Sequence, residues 1–280
     1  MRTAPPGLVF AGLTLVVAGL ALGLRMRHDA PPIAPLPTEA AILADVTLVD
    51  GSALHTPRPD PLRRIRGAAS SISESGLWVT ATSVVAHCRS PMLMATPQRG
   101  LPARLVANAP GGVSFLSTVM GAPPLPLADK AAEPGAEASH PGFPDEGPGE
   151  VASRLIGQIG RVGERRDIYA ETGRTEGLGD GMRTIAGAPV LDEAGRMVGL
   201  TLSDEPRRGR LFAAPLTAIL SAMHRLKLSH SASAEGRPVT LDNYGIVADS
   251  LRRSATVAAV VCLDPSLVSV LPENGPRSAP

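Results

Sequence analysis

Gly76-Leu77-Trp78-Val79-Thr80-Ala81-Thr82-Ser83-Val84-Val85-Ala86-His87-Cys88 is the stretch on which the reading of this chain turns. Residues 77–80 are apolar, aromatic or β-branched and follow a glycine, the make-up of a short strand. The residues after them predict a helical turn over 82–88, which would set Ser83 and His87 on one face, because side chains four apart stack along a helix. Cys88 ends that turn.

Two further stretches lie downstream: Leu105-Val106-Ala107-Asn108-Ala109-Pro110-Gly111-Gly112-Val113-Ser114-Phe115-Leu116, and Thr184-Ile185-Ala186-Gly187-Ala188-Pro189-Val190-Leu191-Asp192-Glu193-Ala194-Gly195-Arg196-Met197-Val198-Gly199-Leu200. In this order the three resemble the active-site neighbourhoods of trypsin-like serine proteases of the HtrA type. The first is similar to G-x-x-V-T-x-x-H-V-V-x-x-C, the second to V-x-x-D-P-x-x-D-L-A-x-L, and the third to G-N-S-G-G-P-V-x-D-x-x-G-x-V-V-G-V. Pro134-Gly135 with Gly142-Phe143-Pro144, and Leu211-Phe212-Ala213-Ala214-Pro215, look like two more of the family's landmarks in the family's order. Together they cover about residues 65–228.

The resemblance implies an all-β fold: two six-stranded trypsin-like β-barrels with a C-terminal helix. It also implies a degenerate catalytic triad. Ser83 stands where the family has its histidine, Gly112 where it has the aspartate, and Ala186 where it has the nucleophile. Hydrolysis by this chemistry needs a hydroxyl, an imidazole to take its proton, and a carboxylate to orient the imidazole. None of the three roles is filled. In the vestigial oxyanion loop Gly187 remains, but Thr184 replaces the family's first glycine, and its β-branched side chain restricts the backbone that would aim the two N–H groups. The implied function is a catalytically inactive protease homologue that acts as a peptide- or protein-binding module, its groove edge accepting an extended peptide by strand addition. The alternative is an active serine endopeptidase with a rearranged site around His87, using Ser83 or Ser114 as nucleophile. A structural subunit of an envelope complex is a third reading.

Composition agrees with a β-rich chain. Glycine and proline number 29 and 28 of 280 residues, which favours short strands and turns. One Trp, two Tyr and four Phe leave the core to aliphatic side chains. A formal net charge of +1, with no basic aromatic-studded face, argues against nucleic acid as a partner. No paired ligand spacing suggests a metal, and no phosphate loop suggests a cofactor; His28, His55, His140, His224 and His230 read as residues of linkers, loops or the closing helix.

Residues 7–24 form an apolar run long enough to cross a bilayer as a helix. The expectation is a single-pass inner-membrane anchor over 1–28, an uncleaved signal anchor rather than a cleaved signal, with the globular part extracytoplasmic or periplasmic. A Pro-rich linker follows over 29–62, then the double-barrel domain over 63–228. Residues 229–265 read as a linker plus a short helix and strand packing on the body, and 266–280 as a disordered tail. Within the body, residues 121–149 hold seven prolines and read as the connection between barrels. Leu216, Ile219, Leu220, Met223 and Leu226 recur at helical spacing after Pro215 and predict the closing helix. Cys88 and Cys262 are the only cysteines; in an exported chain they are expected to form one disulfide, the other reading being two buried small apolar side chains.

Overall fold

The computed structural model describes residues 65–96, 99–143, 148–160, 164–172, 185–231 and 235–263. The membrane run 7–24, the linker 29–62, Thr184 and the tail 266–280 lie outside the described residues. Twelve strands are present: β1 (Ile65–Ser73), β2 (Leu77–Ala81), β3 (Pro91–Thr96), β4 (Arg99–Ala109), β5 (Val113–Thr118), β6 (Glu137–Gly142), β7 (Gly149–Ile159), β8 (Arg166–Glu171), β9 (Pro189–Leu191), β10 (Met197–Glu205), β11 (Arg210–Pro215) and β12 (Val257–Cys262). Three α-helices accompany them: α1 (Thr82–Val85), α2 (Leu216–Leu226) and α3 (Tyr244–Arg253). The strands close into two six-stranded antiparallel barrels. Closure leaves few open sheet edges, which suits a chain with little aromatic surface to cover them. All described residues fall in one unit, Leu48–Pro280; the other unit, Met1–Thr47, lies outside them. Among the described residues no helix is long and apolar enough to cross a membrane.

The first barrel is not complete within residues 63–228. Its sixth strand is β12, which pairs with β1 on one side and β3 on the other. Five residues of β12, 257–261, are almost wholly buried, so the strand is part of the core and not an addition to its surface. The segment read as a simple connection also needs correction, because β6 lies inside it. Pro141 and Gly142 disguise β6 as a turn. The strand forms because it pairs with β7 along its whole length and with β9 at only one position, Ser139↔Leu191, so a residue without an N–H is tolerated. β1 carried no strand signal either, since Ala68-Ala69-Ser70-Ser71 are small residues of low β-propensity. Their size is what the place demands: all four are fully buried between β2, β12 and the second barrel.

The first core is built on Trp78, Phe115, Leu93, Leu116 and Val260, and Trp78 donates its indole N–H to Thr118 Oγ1 at 3.0 Å. Burial of each such side chain contributes roughly 1.5–3 kcal/mol. α2 follows its predicted stripe: Leu216, Ile219 and Met223 are buried, and the helix stops at Lys227, whose left-handed φ of 54° is joined by a Leu228 N–H to Met223 O bond. α3 packs Val247 and Ala248 inward and leads through a tight turn into β12. Cys88 and Cys262 are bridged, with Cα atoms 5.5 Å apart, within the usual disulfide range.

Candidate functional site

Ser83, Gly112 and Ala186 are carried by three separate elements, and the fold brings those elements together. β2 ends at Ala81 and α1 begins at once; the Thr82 N–H donates to Gly112 O at 2.8 Å, tying the start of α1 to the β4–β5 turn. Ser83 is the exposed residue of α1, while Val84 and Val85 face the core. Ala186, half-buried, lies in the loop before β9, and its carbonyl accepts the Ala68 N–H at 2.9 Å. Gly67 marks how closely the elements meet. A Cβ there would lie 2.3 Å from Ala186 O and 2.6 Å from Val84 Cγ2, so α1 and the Ala186 loop face each other across a single glycine. Gly187 is equally constrained: its φ is +82°, and a Cβ would lie 2.0 Å from Ala68 O.

The chemistry of this crevice follows from what lines it. Ser83 offers a hydroxyl with no imidazole beside it, and Ala186 offers a methyl. Gly112 has a left-handed φ of +86°, and a Cβ built on it would sit 3.5 and 3.7 Å from the two terminal methyl carbons of Leu202. Leu202 is buried. The nearest neighbours of a side chain added at residue 112 would therefore be two methyls, which offer no hydrogen bond. Sequence reading did not identify this neighbour, because Leu202 is 90 residues away and simply continues the strand β10.

The rearranged site around His87 is not assembled as expected. α1 ends at Val85, and His87 lies beyond it with a left-handed φ of 60°, so it does not share a helical face with Ser83. Ser114 is fully buried and donates to Asn108 Oδ1 at 2.6 Å, while Thr82 Oγ1 lies 2.9 Å from its oxygen. These bonds lock the β4–β5 turn under α1 and leave no free hydroxyl facing solvent.

His140 is the residue that sequence reading misplaced. It lies on β6, fully buried in the second barrel, with Nδ1 2.8 Å from Thr201 Oγ1 and Nε2 2.7 Å from Ser153 Oγ. Tyr169 meets the ring edge-on, with centroids 5.3 Å apart. Burial lowers the His140 pKa to about 3, which keeps the imidazole neutral. Thr201 also accepts the Gly187 N–H and donates its own N–H to Ala188 O, so the histidine braces the strand that supports the Ala186 loop. With no access to solvent it has no substrate to act on. A lone His in a proline-rich segment gives no pattern from which this role could be read. Among the described residues no group of three or more His, Cys, Asp or Glu side chains gathers as a metal site.

Comparison with known proteins bears on this architecture. A model of the trypsin-like peptidase domain matches residues 67–200, just under half of the chain. No curated protein matches it. Among solved structures, HtrA-type protease AlgW with decapeptide shares 19% identity at a TM-score of 0.49, covering 57% of this chain and 51% of that one. The Rv3671c protease from M. tuberculosis in its active form shares 19% identity at a TM-score of 0.49, with 65% and 83% covered. The serine endoprotease from Yersinia pestis shares 15% identity at 0.48, with 62% and 61% covered. This chain thus spans about half the length of the AlgW structure. Residues 67–200 are thus similar to the trypsin-like peptidase domain, and two closed six-stranded barrels fit that fold.

Proposed function

We propose that this protein is a catalytically inactive trypsin-like protease homologue that binds an extended peptide or a protein segment instead of cleaving it. The observation that carries the reading is Leu202 beside Gly112: the nearest atoms a side chain at residue 112 would meet are two methyls, which offer no hydrogen bond to a carboxylate. A binding edge remains beside it. β10 pairs with β9 only as far as Leu200↔Pro189 but runs on with β11 to Glu205↔Arg210. At Leu202 and Ser203, one side of the strand therefore has no strand partner among the described residues, the arrangement that lets a peptide add as a further strand. The reading places the barrels outside the cytoplasm, anchored to the inner membrane by residues 7–24; the apolar run and a disulfide that persists in oxidising compartments support it.

The test is labelling of the purified full chain with a fluorophosphonate probe. No labelling is expected. Labelling that disappears in His87→Gly would establish the active alternative and overturn the proposal. Rebuilding the triad by Ser83→His, Gly112→Asp and Ala186→Ser is expected to gain little until Leu202→Ser supplies a hydroxyl to the new carboxylate; gain of labelling in the triple variant alone would remove Leu202 from the argument.

A further inference from the structure

On the outer side of α1, residues 85–89 face Leu105 and Asn108 of β4 across a cleft of about 410 Å³. Arg89 is its one fixed charge. Arg89 and His87 are both exposed, and among the described residues no Asp or Glu lines the cleft and neither side chain makes a salt bridge. The opposite wall offers one apolar side chain, Leu105, which is 47% exposed, beside Asn108. His87 holds a left-handed φ of 60°, which is costly for a non-glycine residue. Several bonds hold the loop there. Cys88 is bridged to Cys262, the Arg66 guanidinium donates to Val84 O and Ala86 O at 3.1 Å each, and the Leu263 N–H donates to Ser90 O at 3.0 Å. The loop therefore presents Arg89 to the cleft from a braced backbone, which lowers the ordering cost of binding.

We propose that this cleft docks an extended segment of a partner protein in which acidic residues alternate with apolar ones. Carboxylates would meet His87 and Arg89, and an apolar side chain would cover Leu105. β4 pairs with β3 over residues 99–102 and with β5 over residues 103–109, so at Leu105 and Asn108 one side of the strand has no strand partner among the described residues, and the segment lies along that side as well as against the side chains. The site is separate from the β10 edge and does not depend on whether the crevice hydrolyses anything.

The experiment measures fluorescence anisotropy of the detergent-solubilised full chain with a fluorescein-labelled octapeptide alternating Glu and Leu, using its Lys-Leu counterpart and empty micelles as blanks. The Glu-Leu peptide is expected to bind and to weaken with added salt, and the Lys-Leu peptide to remain at the blank. Arg89→Glu is expected to weaken binding roughly tenfold, with Arg89→Lys close to wild type. His87→Gly, which removes the imidazole but suits the left-handed backbone, is expected to weaken it about threefold. A photo-crosslinking residue should capture the peptide from position 105 and not from position 203. Equal binding of the two peptides, indifference to Arg89→Glu, or capture at 203 alone would overturn the proposal. So would self-association of the chain that Arg89→Glu abolishes without any peptide being bound, since the occupant would then be a second copy.

Discussion

Followed from its own first strand, the second barrel runs β6-β7-β8-β11-β10-β9 around its ring, and the first runs β12-β1-β2-β5-β4-β3. The two orders coincide position by position. The second barrel takes all six strands from residues 137–215, whereas the first takes its leading strand from the far end of the chain, after the second barrel, α2 and α3 have been made. The interiors differ as well. The first barrel is filled by Trp78, Phe115 and aliphatic side chains, while the second encloses a neutral histidine between two hydroxyls. One ring order can therefore be closed by neighbours in sequence or by a distant strand, and the second way makes the first barrel depend on β12, the last of the described strands.

The comparison is broken most severely by removing β12. Truncation before Thr256 deletes six buried residues, 256–261, and leaves β1 and β3 with unpaired edges. The three buried valines alone contribute roughly 1.5–3 kcal/mol each, comparable with the whole stability of a small domain. The first barrel is expected to lose its cooperative transition. Hydrogen exchange should show protection lost in β1–β3 while β6–β8 keep theirs; equal loss in both barrels would mean that they fold as one unit.

Replacing both cysteines, Cys88→Ser with Cys262→Ser, tests the clasp rather than the strand. The bridge joins residues 174 apart in sequence, and its loss is expected to cost roughly 2–5 kcal/mol, read as a lower urea midpoint with the slope little changed. The reduced wild type should match the variant. A midpoint unmoved by either treatment would show that burial of β12 is sufficient to close the barrel.

The second barrel has its own sensitivity, to acid. His140 takes up a proton near pH 6.5 when unfolded but only near 3 when folded, because burial penalises the charged ring. Between those values the unfolded state binds more protons, so stability falls as pH falls, by up to about 1.4 kcal/mol per pH unit. The expected outcome is a urea midpoint that declines from pH 6.5 towards 4 in wild type and declines less in His140→Asn, a variant itself less stable at neutral pH. Parallel curves would place the acid sensitivity elsewhere.

Much of the site was legible in sequence because it depends on local punctuation. The strand–turn patterns around Ser83, Gly112 and Ala186 are readable because the turns are fixed by glycines and prolines. Gly187 and Pro189 still shape the loop before β9, and the amphipathic stripe of α2 specified its own buried face. The two cysteines suggested their bridge by being the only pair.

What only the tertiary structure decided were the features set by distant neighbours. β1 reads as a run of small residues and β6 as a turn, yet both are strands, because closing a ring supplies hydrogen-bond partners that no local propensity encodes. α1 stops at Val85, before His87, as Arg66 takes up the carbonyls of Val84 and Ala86. His140 became a buried brace because Ser153 and Thr201, 13 and 61 residues away, converge on its two nitrogens. Leu202 came to lie beside Gly112 because β10 passes the β4–β5 turn. The sequence by itself determined which turns the chain makes and which residues stand at positions 83, 112 and 186, since both are properties of consecutive residues. The tertiary structure determined how the first ring is closed and what lies beside those three residues, since those depend on contacts between segments far apart along the chain.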